Sequence, residues 1–281
     1  MYTLCILLII SLLIALWIYF QGHYVLSYIG SNKNHVPNAK RIAIVTAIFG
    51  DYDNLKEHAI KNRDMVDWYC FTDNKQLTSS QWQIINTTYH LSDKSNYKNS
   101  YVNLHQPAEY NMMCAKYYKM QNHHIDALDK YDYIIWVDGS IILRENFVNQ
   151  IMSEVIHPGR ELVNFNHSVR NNIKDELAVS ITMQKYKSQN LDSQYLHYIA
   201  NGFPDSIGLF ENTIIIRKKN DKTNKLFDLW WLHNQMYSYQ DQISYPYVLW
   251  KSGCIPDYII NENVFNNTMY SYVDFNLMKK H

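Results

Sequence analysis

Asp138, Gly139 and Ser140 follow directly on the apolar run at 133–137, which places a carboxylate where a buried strand ends. In open α/β sheets ligands settle outside the carboxyl ends of the strands, so an acid there is a candidate for chemistry. Two acids spaced Asp-x-Asp would hold Mg²⁺ or Mn²⁺ against diphosphate oxygens and offset the charge on a leaving diphosphate. Here Asp138 and Ser140 offer one carboxylate and one hydroxyl, a weaker metal set, and Asp-Gly is also an ordinary turn dipeptide. Thr46, Gly50, Tyr52 and Asp53 lie in and after an earlier apolar run, where a Tyr ring can stack on a base and an Asp can take ribose hydroxyls. Asp73 stands likewise after a further run, although Thr-Asp-Asn is common turn chemistry. Lys116 and Lys119 share a helical face and could meet a diphosphate, a pattern that also describes a solvated face. His167, Arg170 and Glu176 bring a titratable ring, a guanidinium fork and a carboxylate within ten residues. Asp241 and Gln242 precede an apolar stretch, where a helix start presents a carboxylate and an amide, or where Asp simply caps the helix.

These residues need elements to hold them. Residues 41–49, 66–71 and 133–137 are short apolar runs rich in β-branched and aromatic side chains, each ended by turn residues, and read as buried parallel strands. The third resumes at 141–143. Residues 109–120, following Pro107, read as an amphipathic helix; 212–217 reads as a strand; and Leu226, Phe227, Trp230 and Trp231 have the spacing of a packed helix. Strands alternating with helices predict an α/β sandwich with a mostly parallel central sheet.

Hydrophobic residues make up 47% and charged residues 19% of the chain, so it can bury a core and is not a disordered tail. The 26 basic and 26 acidic residues cancel, which removes the electrostatic footprint of a nucleic-acid binder. Residues 3–20 carry no charge and span about 27 Å as a helix, enough to cross a bilayer, with Trp17 and Tyr19 at interfacial depth. Residues 1–22 therefore read as an uncleaved transmembrane signal anchor, with a cleaved signal peptide as the rival, 23–39 as a polar stem and 40–281 as one catalytic domain. The expected placement is a single-pass type II protein with a lumenal domain, Golgi or endoplasmic-reticulum-like. Lys33, Lys40 and Arg41 on the far side of the segment favour the opposite orientation by the positive-inside rule. A lumenal domain would expose sequons at Asn86, Asn166 and Asn266. Cys70, Cys114 and Cys254 show no CxxC spacing and read as small buried hydrophobes.

Taken in order, several segments resemble the plant Golgi glycosyltransferase-like family that has turgor-regulation-defect and mucilage-related members. They are RIAIVTAIFGDYD (41–53), CFTD (70–73), AKYYK (115–119), YIIWVDGSIIL (133–143), HSVRNNIKDE (167–176), TIIIR (213–217) and QDQISY (240–245). The resemblance implies a GT-A-like fold, a nucleotide-diphosphate sugar as donor, a glycan or glycoconjugate as acceptor, and Mn²⁺ or Mg²⁺ as cofactor. It puts Asp138 at the metal or diphosphate motif, Asp241 in the late acceptor-side or catalytic motif, and matches His167, Arg170 and Glu176 to the family's His, Arg and Glu. The chain departs from the family at Tyr239-Gln240, where a Ser-Arg pair is usual before Asp-Gln. Two other function classes stay open: a metal-dependent hydrolase of a membrane lipid using His167, Glu176 and His123 or His124, and an inactive glycan-binding protein of the same fold.

Overall fold

The computed structural model describes residues 42–87, 107–260 and 267–272. The anchor, the stem, Arg41 and the sequon at Asn266 lie outside the described residues. Among the described residues no helix is long and apolar enough to cross a membrane.

Seven strands form the central sheet in the order β3-β2-β1-β4-β7-β6-β8: β1 Ile42–Ile48, β2 Asp67–Thr72, β3 Gln83–Asn86, β4 Tyr133–Val137, β6 Leu162–Asn166, β7 Phe210–Lys218 and β8 Tyr258–Ile260. β5 (Ile141–Leu143) and β9 (Tyr270–Tyr272) make a separate antiparallel pair. β1 and β4 are buried along their whole length, which is why they read as continuous apolar runs. Alternate β1 residues feed two cores: Ala43, Val45 and Ala47 pack on one face, Ile42, Ile44 and Ile48 on the other. The first face carries α1 (Pro107–Met120), α3 (Ile173–Ser180), α4 (Leu191–Ala200), α5 (Asp221–Met236) and α6 (Asp241–Ser252); α2 (Phe147–Ile151) lies on the second.

The sheet is parallel except for β7, which runs antiparallel to both β4 and β6. β1, β2, β4 and β6 consequently all end at the same edge of the sheet, and β7 begins there, with Ile214 opposite Val137. That edge collects the loop after β1, Asp73, Asp138 and His167. The three described cysteines are buried and form no disulfide with one another, as small hydrophobes should be.

Helix α5 begins with a reciprocal cap between Asn220 and Thr223. Helix α6 starts differently. Gln240 is its N-cap residue but makes no side-chain cap bond, and Asp241 sits in the first turn with its carboxylate directed elsewhere, so the simple capping use of Asp241 does not hold.

Candidate active site

The centre of the carboxyl edge is a cluster of charge that no short stretch of sequence contains. Lys116 and Lys119, one turn apart on α1, both reach Asp241 Oδ2, with Nζ···O distances of 2.5 and 2.7 Å. Lys119 also lies 3.4 Å from Asp138 Oδ1, which accepts the indole N–H of Trp136 at 2.5 Å. The Lys119 side chain is only 2% exposed and that of Lys116 18%, so the solvated-face reading of this lysine pair is wrong. Two buried ammonium groups persist there because Asp241 lies between them, 125 and 122 residues away in sequence. Burial alone would raise the Asp241 carboxyl; Lys116 and Lys119 outweigh it and hold the group well below the usual carboxylate range. Burial opposes the charge on Lys119, and Asp138 and Asp241 together overcome it and raise its affinity for the proton. Trp136 and Trp230 stand 5.7 and 6.0 Å from the Lys119 ammonium, and Trp230 Nε1–H donates to the Asp241 backbone carbonyl at 3.3 Å.

Two further side chains border this cluster. The ammonium of Lys185, depressed first by burial and then by the charge of Lys116, feels Asp241 and Asp138 as well. It stands 4.9 Å from the Tyr186 ring and finds no acceptor among the described residues. Asp53 approaches from the loop after β1: a Cβ on Gly139 would stand 3.0 Å from Asp53 Oδ2. Burial, then the charge of Asp138, pushes the Asp53 carboxyl up to about 6. Tyr52, on the same loop, is 48% exposed. Gly50 turns this loop at φ 62° and donates its N–H to both oxygens of Asp73, at 3.1 and 3.2 Å, so Asp73 ties the loops after β1 and β2 together. Thr46 faces the other side of β1. Its buried hydroxyl has no hydrogen-bond partner among the described residues and lines, with Lys56, His58 and Asp138, a cavity of about 10 Å³, space for one water.

His167, Arg170 and Glu176 do converge. Arg170 Nε donates to Glu176 Oε2 at 2.6 Å, and His167 Nε2 lies 3.7 Å from the same oxygen. Both backbone N–H groups of Val169 and Arg170 donate to His167 Nδ1, and burial followed by Arg170 lowers this imidazole to about 4. It is therefore neutral at physiological pH with its lone pair engaged. Gln240 Nε2 donates to Glu176 Oε1 at 3.0 Å and to Ser180 Oγ at 2.9 Å. The residue that departs from the family pattern thus joins α3 to the start of α6, next to Asp241. Gln242 Nε2 donates to the Phe210 carbonyl at 3.4 Å, a contact within the fold.

The donor set is a poor fit to a divalent cation. Asp138 Oδ1 is taken by an indole N–H and an ammonium, and Ser140 stands where a second acid would serve. An ion on Asp138 would share that carboxylate with the Lys119 ammonium 3.4 Å away, and two cations on one carboxylate repel. Among the described residues, the group of three side chains spaced to hold a metal is His123, His124 and Asp228. It lies at the opposite edge of the sheet, beside Arg217 near the end of β7. Arg217 donates to His123 Nδ1 at 3.0 Å, which leaves the ring proton on Nε2, pointed at Asp228. His123 cannot offer that nitrogen to a metal while the arginine bond holds. His123 and His167 also sit at opposite ends of β7, so the hydrolase reading does not gain a joint site.

A seven-stranded, mostly parallel sheet with acids, lysines and a Tyr-bearing loop gathered at its carboxyl edge fits a GT-A-like fold, the architecture of nucleotide-sugar transferases. The chain belongs to the family described as TOD1/MUCI70, glycosyltransferase-like domain, whose match covers residues 28–280. No curated protein matches the chain.

Of the site residues read from sequence, Lys116 meets Asp241 directly and Asp138 joins them through Lys119, Asp53 borders them, and His167, Arg170 and Glu176 form a neighbouring network joined through Gln240. Lys119 was read beside Lys116 as a possible diphosphate contact and Gln240 as a departure from the family, whereas Trp136 and Lys185 were missed. For those two the signal lies in contacts across the fold: the Trp136 indole N–H on Asp138 and the Lys185 ammonium beside the same cluster.

Proposed function

We propose that this protein transfers a sugar from a nucleotide-diphosphate sugar to a glycan or glycoconjugate acceptor at a membrane. The observation that carries the reading is the convergence of Asp138, Asp241, Lys116 and Lys119 where the loops after β1 and β4 open. Cationic groups there offset charge developing on a departing diphosphate, an electrostatic contribution that a water-poor setting enlarges. Tyr52 and Asp53 form the nucleoside side, the half-exposed ring stacking on a base and the carboxylate taking ribose hydroxyls. Gly50 and Asp73 hold that loop in place.

Asp241 acts in this scheme by fixing two lysines. A carboxylate held far below its usual range is a weak base, and general-base catalysis is most effective near the working pH. Asp53, at about 6, has the basicity that Asp241 lacks. The His167, Arg170 and Glu176 network positions the start of α6 through Gln240. The membrane context rests on the apolar segment at 3–20, and a lumenal domain is the expected topology.

A thermal-shift screen of the full-length protein against nucleoside diphosphates and their sugar conjugates tests the reading. A ligand at 100 times its dissociation constant that binds only the folded state adds roughly 2.7 kcal/mol, a visible rise in midpoint. Stabilisation by at least one nucleoside diphosphate is expected. A folded protein indifferent to all of them, yet stabilised by an oligosaccharide, would favour the inactive glycan-binding alternative.

A further inference from the structure

Building on the transferase reading, we propose that the donor's diphosphate is held by the ammonium groups of Lys116, Lys119 and Lys185, and that binding requires no divalent cation. The argument starts from the mismatch at Asp138. In a metal-assisted site the acid after the fourth strand faces an ion. Here it faces Lys119 at 3.4 Å and the Trp136 indole at 2.5 Å, and the neighbouring position is Ser140. Three lysines set against Asp138 and Asp241 put cationic N–H groups at this edge without a metal.

The donor inventory agrees. Each ammonium carries three N–H groups and accepts nothing. Lys116 has one acceptor, Asp241; Lys119 has two, Asp138 and Asp241; Lys185 has none among the described residues. Lys116 and Lys185 keep N–H groups to meet phosphate oxygens, and Lys119, only 2% exposed, adds its charge from beneath. The shared carboxylate of Asp241 keeps Lys116 and Lys119 in register, so little side-chain freedom is lost when the anion arrives. Lys185 comes from a different segment, between α3 and α4. Its backbone carbonyl accepts the Tyr239 hydroxyl, which ties that segment to the residue just before Gln240. Tyr186 lies beneath the Lys185 ammonium at 4.9 Å. Lysine binds phosphate as a compact point charge, so three from two directions suit a flexible diphosphate.

Calorimetric titration of the full-length protein tests this, with uridine diphosphate, guanosine diphosphate and inorganic pyrophosphate as probes, each in EDTA and in Mn²⁺. The expected result is binding in EDTA that Mn²⁺ changes by less than about threefold, and a loss of about tenfold or more in Lys185→Ala, the worth of one charge-assisted contact. Lys185→Arg, which keeps the charge, should retain most of the affinity; Lys185→Ala should leave the melting midpoint of the free protein near that of the parent. Binding that appears only with Mn²⁺, or that survives Lys185→Ala unchanged, overturns the inference while leaving the transferase reading intact. Metal-free pyrophosphate binding that depends on Lys185, with neither nucleotide bound, keeps the lysine site and removes the transferase reading. Failure of all three probes in both conditions removes both.

Discussion

Replacing Asp241 by Asn tests whether the lysine pair is held as described. The substitution keeps size and one hydrogen-bond acceptor but removes the charge facing ammonium groups at 2.5 and 2.7 Å. Each contact is worth about 6 kcal/mol as a Coulomb interaction at an effective dielectric near 20, most of it cancelled by the cost of taking the charges out of water. The net cost of removing one partner from a buried pair is about 3–5 kcal/mol, because the remaining charge is stranded. Lys119 keeps Asp138 at 3.4 Å, so the lower half of that range is expected. For a domain of this size that corresponds to a fall in midpoint of roughly 6–15 °C. Urea denaturation of the full-length protein, followed by circular dichroism, reads the change directly. The pH dependence has a definite sign. The Asp241 carboxyl is depressed in the folded state, so its contribution is present above the unfolded value of about 4 and is lost as pH falls below it. The deficit of Asp241→Asn should persist at pH 5 and shrink below about pH 4. In a double-mutant cycle, Lys116→Met should recover part of it. An Asp241→Asn protein within about 1 kcal/mol of the parent at pH 7 would refute this account of the buried pair.

Three further outcomes follow from single contacts. Asp53→Asn removes a carboxylate whose folded value is raised from 3.8 to about 6, so it should stabilise the protein by about 1–3 kcal/mol at pH 7.5, with the gain fading as pH falls through 6 and gone near 4; denaturation at those pH values checks it. Gly50→Ala places a Cβ 1.8 Å from Asn111 Nδ2 at a backbone φ of 62°, so it should cost roughly 1–2 kcal/mol and weaken nucleotide binding through the displaced loop, measurable by the same denaturation and by titration. If the domain is lumenal, Asn86, exposed at the end of β3, should be glycosylated in a eukaryotic host in preference to the partly buried Asn166, and an unglycosylated Asn86 beside a modified control sequon would count against that topology.

The sequence revealed those parts of the fold that pack on both faces. β1 and β4 are buried throughout and, Thr46 aside, apolar, so their runs of Ile, Val and Trp placed them to within a residue, and with them the sheet edge at Asp138. β3 was invisible because it is four residues long at the sheet's margin, with its end residues exposed. β6 was missed because two asparagines, Asn164 and Asn166, interrupt its apolar run; Asn164 is buried and accepts the Tyr245 hydroxyl, a partner on α6. The reversed direction of β7 leaves no trace in local periodicity, since a buried strand reads alike either way. The site divides along the same line. Asp138 was legible as the residue after a strand, whereas the meaning of Lys116 and Lys119 depended on Asp241, more than a hundred residues away. Without that partner, two lysines on one helical face look solvated. The departure at Gln240 was legible as a difference and became interpretable only as a contact with Glu176 and Ser180.

The central claim is that this edge of the sheet transfers sugars, and release of nucleoside diphosphate from a panel of nucleotide sugars measures it most directly. The full-length protein should liberate nucleoside diphosphate from at least one donor, faster when an oligosaccharide acceptor is present. Lys119→Met should lower that rate by about 10²-fold or more, the scale on which removing one pre-placed charge-stabilising group acts. A protein that is folded, binds a nucleotide sugar and still releases nothing above the background of Lys119→Met, with any acceptor, would contradict the account.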